Sequence, residues 1–363
     1  MGKILTIIIP AYNMEKYLNR CLSSLIVTAE KMELLEVLVI NDGSKDKTSE
    51  IGHAFEDRYP GTFRVIDKTN GHYGSCINRG LDEASGSYVK ILDADDTFDP
   101  KVLSLYLEFI SRICVSEEPI DVILSDYIQV DEELHLLSEH RFGDYKGVFT
   151  LGQLSKADTD HWFIHGLAYR TKNLRDIRHR QTEGIPYTDI EWCFYPASTI
   201  HRAIKFNVFL YRYTKLRDEQ SVAPAVHGKN IDKQTRIIRK IILDSPQLMA
   251  RVTDPETSAF LESFKANQVF HIYQLFLVSL SKYIKDDSIL SDFDVLLKEH
   301  DPSLYDRCSK YKTTIAGIPF RPVLLWRNGE KASLHCMQFL YRVINKYNQV
   351  KVLRNSSKTD NHE

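Results

Sequence analysis

The sequence predicts an α/β fold, with a mixed but mainly parallel sheet flanked by helices and a mostly α-helical region after it. Short apolar runs alternate with stretches of helical periodicity over residues 5–114, which is typical of parallel strands joined by helical crossovers. After residue 228 the periodicity is helical throughout. The 363 residues therefore suit two domains, which we place at residues 1–220 and 229–363.

The predicted strands are short runs of apolar and β-branched residues bounded by turn sequences. The first run ends at Pro10, and the second ends in the turn Asn41-Asp42-Gly43-Ser44. The last run alternates roughly as a half-buried strand does. The six strands expected are residues 5–9, 36–40, 63–66, 88–92, 121–125 and 203–213.

The helices follow from apolar residues at helical spacing. The first carries Tyr17, Leu18, Cys21, Leu22 and Leu25 on one face. Residues 217–228 contain a proline and a glycine and are typical of a linker. The helices expected are residues 15–27, 46–58, 74–84 and 100–114, with further amphipathic helices in 231–285 and 286–353.

Composition excludes several classes of protein. Lys and Arg number 47 and Asp and Glu 49, so the net charge of −2 argues against a uniformly basic nucleic-acid binder. The six cysteines form no C-x-x-C pair, which favours reduced thiols in a cytoplasmic protein over disulfides or a zinc site. No run reaches the 18 or so apolar residues of a membrane span, and the N-terminal apolar run lacks the features of a signal peptide.

Polar segments follow four of the predicted strands. Ligands of open parallel sheets bind outside the carboxyl ends of the strands, so these segments are candidate site residues. Taken singly, the turns are ordinary, but three carboxylates in four residues need a cation, a hydrogen-bond cage or raised pKa values. The segments are Pro10-Ala11-Tyr12-Asn13, Asn41-Asp42-Gly43-Ser44, Lys68-Thr69-Asn70-Gly71 with Asn78-Arg79-Gly80, and Asp93-Ala94-Asp95-Asp96.

In order and spacing, these segments resemble the family 2 glycosyltransferases, which are inverting enzymes of the GT-A fold. The resemblance is strong over residues 4–100, fair to about residue 220 and absent after about residue 228. It implies transfer of a sugar from a nucleotide diphosphate sugar, with UDP-sugars favoured, to a hydroxyl of a glycan or lipid-linked glycan. Such a reaction belongs to the synthesis of cell-surface polysaccharides or glycoconjugates.

The resemblance also implies roles for individual residues. Asp42 would accept a hydrogen bond from the base, Arg79 would donate to phosphate with Lys68 as a weaker candidate, and Mn²⁺ or Mg²⁺ would bind Asp95 and Asp96. The sequence leaves open which of the three aspartates ligates the metal directly. The implied nucleotide-sugar site consists of Pro10, Ala11, Tyr12, Asn13, Asp42, Gly43, Arg79, Asp93, Ala94 and Asp95.

The resemblance places the general base at Asp189, with Glu191 in reserve. Many members have Glu-Asp where this chain has Thr188-Asp189. The alternative is that Thr188 caps a helix and Asp189 interacts with its dipole. Weaker candidates are His161, Trp162 and His165 on the acceptor side, Arg217 for the diphosphate and His227 for the metal.

The C-terminal end has a charge character of its own. Residues 307–358 contain 11 Lys and Arg and one acid, Glu330, interleaved with apolar and aromatic residues. One interpretation is a surface for anionic lipid, which would place the protein peripherally on the inner face of the plasma membrane. The other is a helical domain that packs its apolar face and leaves its lysines solvated. The sequence leaves both open.

Three other functions fit the sequence less well. A sugar nucleotidyltransferase would need a Gly-rich loop with basic residues after the first strand, and a dehydrogenase would need G-x-G-x-x-G there; Pro10-Ala11-Tyr12-Asn13 is neither. A degenerate nucleotide-sugar-binding module would have lost Asp95 or Asp189, and both are present.

Overall fold

A computed structural model describes residues 2–215, 223–284, 286 and 288–359, with side chains described as far as residue 346. The chain divides into two compact units. The first comprises Met1–Arg217 and Pro246–Phe264, and the second comprises Asp218–Ser245 and Lys265–Glu363. The first unit therefore includes a later segment of the chain, 246–264.

The first unit is built on a ten-stranded sheet. Its strands are β1 (Leu5–Ala11), β2 (Leu35–Asn41), β3 (Phe63–Asp67), β4 (Tyr88–Ile91), β5 (Thr97–Phe98), β6 (Val122–Val130), β7 (Leu136–His140), β8 (Val148–Phe149), β9 (Leu167–Arg170) and β10 (Ala203–Thr214). The order is β3-β2-β1-β4-β9-β6-β10-β5, with β7 on β6 and β8 on β10. The pairs among β1 to β4 and the pair β6–β10 are parallel, whereas β9, β5, β7 and β8 run antiparallel to their neighbours. The mixed, mainly parallel sheet predicted from the sequence is therefore confirmed.

Helices of the first unit connect these strands. They are α1 (Leu18–Ser23), α2 (Ala29–Met32), α3 (Thr48–Arg58), α4 (His72–Glu83), α5 (Pro100–Cys114), α6 (Lys156–Asp160), α7 (Thr171–Asp176) and α8 (Asp189–Phe194). The helix expected over 15–27 is shorter and ends at Ser23. The hydroxyl of the next residue, Ser24, donates to the carbonyl of Cys21 at 2.6 Å and accepts the N–H of Phe98 at 3.1 Å. Helix α4 approaches β1 closely, since a Cβ on Gly80 would lie 2.6 Å from Cγ2 of Ile8.

The remaining elements are mostly helical, as predicted. They are α9 (Pro224–Lys229), α10 (Ile231–Met249), α11 (Pro255–Gln274), a π-helical turn (Leu275–Ser279), α12 (Ser288–His300), α13 (Pro302–Lys310), β11 (Thr313–Ile315), β12 (Ile318–Phe320), α14 (Pro322–Arg327) and α15 (Lys331–Thr359). The division into units runs through α10 and α11. The hairpin β11–β12 was not predicted; its turn, Ala316-Gly317, has φ values of 52° and 77°, which suit a tight hairpin.

One ion pair organises the second unit. The Arg327 guanidinium lies 2.5 Å from Oδ1 of Asp294 and donates to the carbonyl of Tyr305 at 2.9 Å. The Tyr273 hydroxyl donates to the same Asp294 oxygen at 2.5 Å. These contacts tie α11, α12, α13 and α14 together. Within the part of the chain that the structure describes, no helix is both long and apolar enough to cross a bilayer.

Candidate active site

Asp42 is fixed at the carboxyl end of β2. The side chain is buried, and its Oδ1 accepts hydrogen bonds from Nζ of Lys68 at 2.5 Å and from the N–H of Gly71 at 2.9 Å. Lys68 Nζ also donates to the carbonyl of Thr69 and the hydroxyl of Ser75. Lys68, a candidate for phosphate, therefore holds Asp42 in one orientation.

The loops after β1 and β2 are fastened to each other. Asn13 accepts the N–H of Lys45 on its Oδ1 at 2.9 Å and donates its own N–H to the Ser44 hydroxyl at 3.0 Å. Gly43 has φ +75°, and a Cβ there would lie 3.2 Å from the N of Asn70, so the turn favours glycine. The Tyr12 ring is 47% exposed beside these loops. The result is a rigid rim with one open aromatic face.

The acidic cluster after β4 sits in a hydrogen-bond cage. Asp96 is fully buried; its Oδ2 accepts the Tyr211 hydroxyl at 2.6 Å and its Oδ1 accepts the N–H of Thr214 at 2.7 Å. The Tyr211 hydroxyl also accepts the N–H of Asp93 at 3.1 Å. Burial, then the charge of Asp93, raises the pKa of Asp96 well above its usual range, although the hydrogen bonds from Tyr211 and Thr214 oppose this.

Three side chains of this cluster fit a divalent cation. Asp93, Asp96 and His165 each place one ligand atom within 4.8 Å of the others. Burial, then the charge of Lys90, lowers the pKa of His165 to about 3, so its imidazole is neutral and can act as a ligand. Two carboxylates and an imidazole form a donor set that suits Mn²⁺. The Asp95 side chain is outside this group of described residues, and its carbonyl accepts the Thr214 hydroxyl at 3.1 Å.

Asp189 acts on the same tyrosine hydroxyl as Asp93, although the two aspartates are far apart in sequence. Tyr73 connects them: its hydroxyl donates to Oδ1 of Asp93 at 3.0 Å. Burial and then the charges of Asp93 and Asp189 raise the pKa of Tyr73 well above its usual range, so both carboxylates lie near this hydroxyl. Burial also raises the pKa of Asp189 itself, with the charge of Glu191 adding to the effect. A carboxylate with a raised pKa is a better proton acceptor near neutral pH.

Glu191, the reserve candidate for the base, is fully buried, and both of its carboxylate oxygens accept hydrogen bonds from Thr182. Its Oε2 accepts the N–H of Thr182 at 2.6 Å and its Oε1 accepts the Thr182 hydroxyl at 2.9 Å. Thr188 donates its hydroxyl to Oε1 of Gln181 at 3.0 Å and does not cap α8 with its side chain. Thr188 thus holds the N-cap position of α8 and Asp189 lies in its first turn, as the alternative expected, but the Thr188 side chain is bound elsewhere.

Asn78 holds the segment that leads to Asp189. Its Nδ2 donates to the carbonyl of Gln181 at 2.9 Å and to Oε1 of Glu183 at 2.8 Å, and its Oδ1 accepts the N–H of Gln181 at 2.8 Å. A Cβ on Gly74 would lie 2.1 Å from the carbonyl oxygen of Thr182, which shows how closely α4 meets this segment. Asn78 thus fixes residues 181–183, which lead along the chain to the candidate base Asp189.

The other candidate residues take different places. Arg79 forms an exposed ion pair with Glu83 at 2.7 Å. Trp162 is buried in the core and donates its Nε1–H to the carbonyl of Cys193 at 3.0 Å. His161 lies with its Nδ1 3.4 Å from Nδ1 of His140.

Two further candidates from the sequence do not enter this cluster of described side chains. Arg217 lies outside the described residues. His227 belongs to the second unit, where its Nε2 lies 2.5 Å from Oε1 of Gln234.

Sequence reasoning missed the role of Lys90, in the middle of β4. Its side chain is fully buried, and Nζ donates to the carbonyls of His165 at 2.7 Å and Leu167 at 3.3 Å. Burial lowers the pKa of Lys90 to about 7. Lys90 therefore holds the turn that carries His165, and a lysine inside an apolar strand run was the signal that pointed to such a role.

Comparisons with known protein families and sequences agree with the resemblance seen in the sequence. The model of Glycosyl transferase family 2 matches residues 6–175. Glycosyltransferase GlyA of Streptococcus pneumoniae serotype 4 is 32% identical over 140 residues, which is 39% of this chain and 19% of GlyA. The minor teichoic acid biosynthesis protein GgaA of Bacillus subtilis strain 168 is 29% identical over 172 residues, or 47% of this chain and 37% of GgaA. The matched segments thus span less than half the length of these relatives.

A solved structure extends the likeness to the fold. The crystal structure of TarS 1-349 from S. aureus in complex with UDP superposes with a TM-score of 0.62 at 20% identity, covering 93% of this chain and 91% of that chain. At this identity the likeness concerns the fold, and it agrees with the GT-A architecture expected from the sequence. The family match and the named relatives confirm the resemblance seen in the sequence: residues 6–175 of this chain match Glycosyl transferase family 2.

Proposed function

We propose that this chain transfers a sugar from a UDP-sugar to an acceptor hydroxyl with inversion at the anomeric carbon. The observation that carries the proposal is that the Tyr73 hydroxyl, which donates to Asp93 at 3.0 Å, also experiences the charge of Asp189. The candidate donor-binding carboxylate and the candidate base therefore act on one hydroxyl, as expected where donor and acceptor meet for direct displacement.

The uracil would lie at the rim formed by the loops after β1 and β2. Asp42 is held by Lys68 so that its carboxylate can accept the N3–H of uracil, and the exposed ring of Tyr12 offers a stacking surface. Pro10, Ala11, Asn13 and Gly43 complete this rim, as the resemblance implies. The UDP bound to TarS, which shares this fold, supports UDP as the nucleotide.

The diphosphate would lie between α4 and the acidic cluster. The resemblance assigns a Mn²⁺ or Mg²⁺ ion to Asp95 and Asp96. Asp96 also belongs, with Asp93 and His165, to a group whose ligand atoms lie within 4.8 Å of one another, and Asp95 is not part of that group. When bound, the ion neutralises the charge that develops on the leaving diphosphate. Arg79 would add donors to phosphate, since an exposed ion pair such as that with Glu83 is worth only about 0–1 kcal/mol and opens at little cost.

Asp189 would take the proton of the acceptor hydroxyl as that oxygen attacks the sugar. A single displacement needs one base on the acceptor side and inverts the configuration. The acceptor would be a glycan or lipid-linked glycan in the synthesis of a cell-surface polysaccharide. The similarity to GgaA, a teichoic acid biosynthesis protein, supports an acceptor of this class.

Thermal shift measurements with UDP, GDP, CMP and dTDP, each with and without Mn²⁺, test the donor site. A ligand at about 100 times its Kd adds roughly 2.7 kcal/mol to the stability, which is a shift of several degrees. We expect UDP with Mn²⁺ to give the largest shift, and Asp95→Asn to remove the metal-dependent part. No shift with any nucleotide would refute the proposal.

Transfer is tested separately by following UDP release from UDP-sugars. Asp189→Asn should retain the shift with UDP and lose turnover, whereas retained turnover would exclude Asp189 as the base. Wild-type protein that binds UDP but turns over no UDP-sugar, with any acceptor glycan tried, would instead favour a binding module.

A further inference from the structure

Helix α15 uses only one of its faces for packing within the second unit. Met337 is buried, Gln338 donates its Nε2–H to the carbonyl of Leu277 at 2.9 Å, and the Tyr341 hydroxyl lies 3.4 Å from that of Ser279. These residues face the π-helical turn Leu275–Ser279. The side of α15 toward the second unit is therefore accounted for.

The opposite face of α15 carries an exposed apolar stripe. Cys336, Phe339 and Val343 are exposed, Phe339 by 62% and Val343 by 50%. At about 100° per residue, their spacing of three and four places them on one side of the helix, away from Gln338 and Tyr341. A helix face that contacts only water typically carries polar side chains rather than a neighbouring phenylalanine and valine.

Positive charge surrounds this stripe. The 29 residues of α15 include six Lys and Arg and no Asp or Glu. Arg342 and Lys346 are exposed next to Phe339 and Val343. The hairpin β11–β12 repeats the pattern: Ile318 is 48% exposed at its turn, with Lys312 and Arg321 exposed at its two ends.

We propose that the exposed stripe of α15 docks on an anionic lipid bilayer, and that the tip of the β11–β12 hairpin offers a second contact of the same kind. Apolar side chains enter the boundary between headgroups and acyl chains, while lysines and arginines meet the lipid phosphates. The proposal goes beyond sugar transfer and does not depend on it. Of the two interpretations of the basic C-terminal end, it adopts the surface for anionic lipid.

Charge distinguishes the bilayer from other occupants. A second copy of α15 on the stripe would bring cationic helices together with no acid on either to compensate, which is repulsive. A nucleic acid would satisfy the cations but would leave Phe339 and Val343 without a role. Anionic lipid satisfies both the cations and the apolar stripe.

Vesicle co-sedimentation of the full chain tests this surface. One set of vesicles contains phosphatidylcholine with 30% phosphatidylglycerol, and the other contains phosphatidylcholine alone. We expect binding to the anionic set that weakens with added salt. Arg342→Gln with Lys346→Gln should weaken it about 25-fold, at about fivefold for each basic residue. Phe339→Ser with Val343→Ser should weaken it about tenfold or more without changing the charge, because it removes the apolar side chains that the bilayer would bury.

A matched variant controls for the loss of exposed apolar side chains in general. Leu105 is 51% exposed and Val295 is 56% exposed, and both lie outside the proposed surface. Leu105→Ser with Val295→Ser should bind vesicles like the wild type. All variants should keep the thermal shift with UDP, which separates failure of this proposal from failure of the proposed function.

Three results would overturn the proposal. Equal binding to both kinds of vesicle would exclude anionic lipid as the ligand. Equal loss in the control variant would exclude the stripe as the contact. Gel filtration in which Phe339→Ser with Val343→Ser converts an oligomer to a monomer would assign the stripe to a second copy of the chain.

Discussion

Tyr211→Phe tests the hydrogen-bond cage around the acidic cluster. The substitution removes one oxygen from a fully buried ring. That oxygen donates to Oδ2 of Asp96 at 2.6 Å and accepts the N–H of Asp93 at 3.1 Å. No water replaces it easily at Asp96, because the Asp96 side chain has no exposed surface.

The expected cost follows from the two atoms that lose a hydrogen bond, Oδ2 of Asp96 and the N–H of Asp93. Each buried polar atom that loses its hydrogen bond costs about 1–3 kcal/mol, so we expect about 3 kcal/mol for the two together. For a domain of this size, each kcal/mol lost from the free energy of unfolding lowers the melting temperature by about 2–4 °C. We therefore expect Tyr211→Phe to lower the melting temperature by about 6–12 °C and to weaken the Mn²⁺-dependent response to UDP.

Tyr106 provides the matched control. It is also fully buried, but no described group hydrogen-bonds its hydroxyl. Tyr106→Phe removes an unsatisfied polar atom and should leave the melting temperature unchanged or slightly higher. Both variants are melted by circular dichroism without ligand. If they melt within about 2 °C of each other, the hydrogen bonds of Tyr211 do not stabilise the folded protein.

Two further predictions concern the base and the nucleotide rim. Burial raises the pKa of Asp189, so the folded state holds that proton more tightly than the unfolded state, and stability falls as pH rises through this raised pKa. Asp189→Asn should therefore raise the melting temperature at pH 7.5, by an amount that shrinks as pH approaches the ordinary Asp value of about 3.9; a pH-independent change would contradict this. Gly43→Ala and Gly61→Ala both place alanine at positive φ, costing about 1–2 kcal/mol each. Only the Gly43 variant has a neighbour, Asn70, within 4 Å of the new Cβ, so only it should lose affinity for UDP in calorimetry, and equal losses would refute the assignment of the rim.

The sequence predicted the features that local pattern controls. Parallel strands ending in polar turns placed Asp42 and the aspartates after β4 on one edge of the sheet, and the structure agrees. Helix α5 has the predicted bounds, because Asp99 caps it through the N–H groups of Lys101 and Val102 and Pro100 begins it.

The partners of these residues depend on pairing between distant strands and could not be predicted. Tyr211 and Thr214 reach Asp96 because β10 runs beside β6 and pairs with β5. An alternating strand shows which residues share a face, but not which element packs against that face. His165 lies on a short turn whose position depends on Lys90. The apolar run around Lys90 indicates a buried lysine, but it does not show which carbonyls that lysine contacts.

The cage around Asp96 also sets an order of events when the chain is made on a ribosome. Strands β1, β2, β3 and β4 can pair soon after they emerge, but the N–H that Asp96 requires belongs to a residue 118 positions later. At about 5–20 residues per second, the wait is roughly 6–24 s. Throughout that interval the aspartates after β4 repel one another without their donors. The acidic edge is thus the last part of the sheet to be completed, and the nascent domain has no finished cluster until β10 has been synthesised.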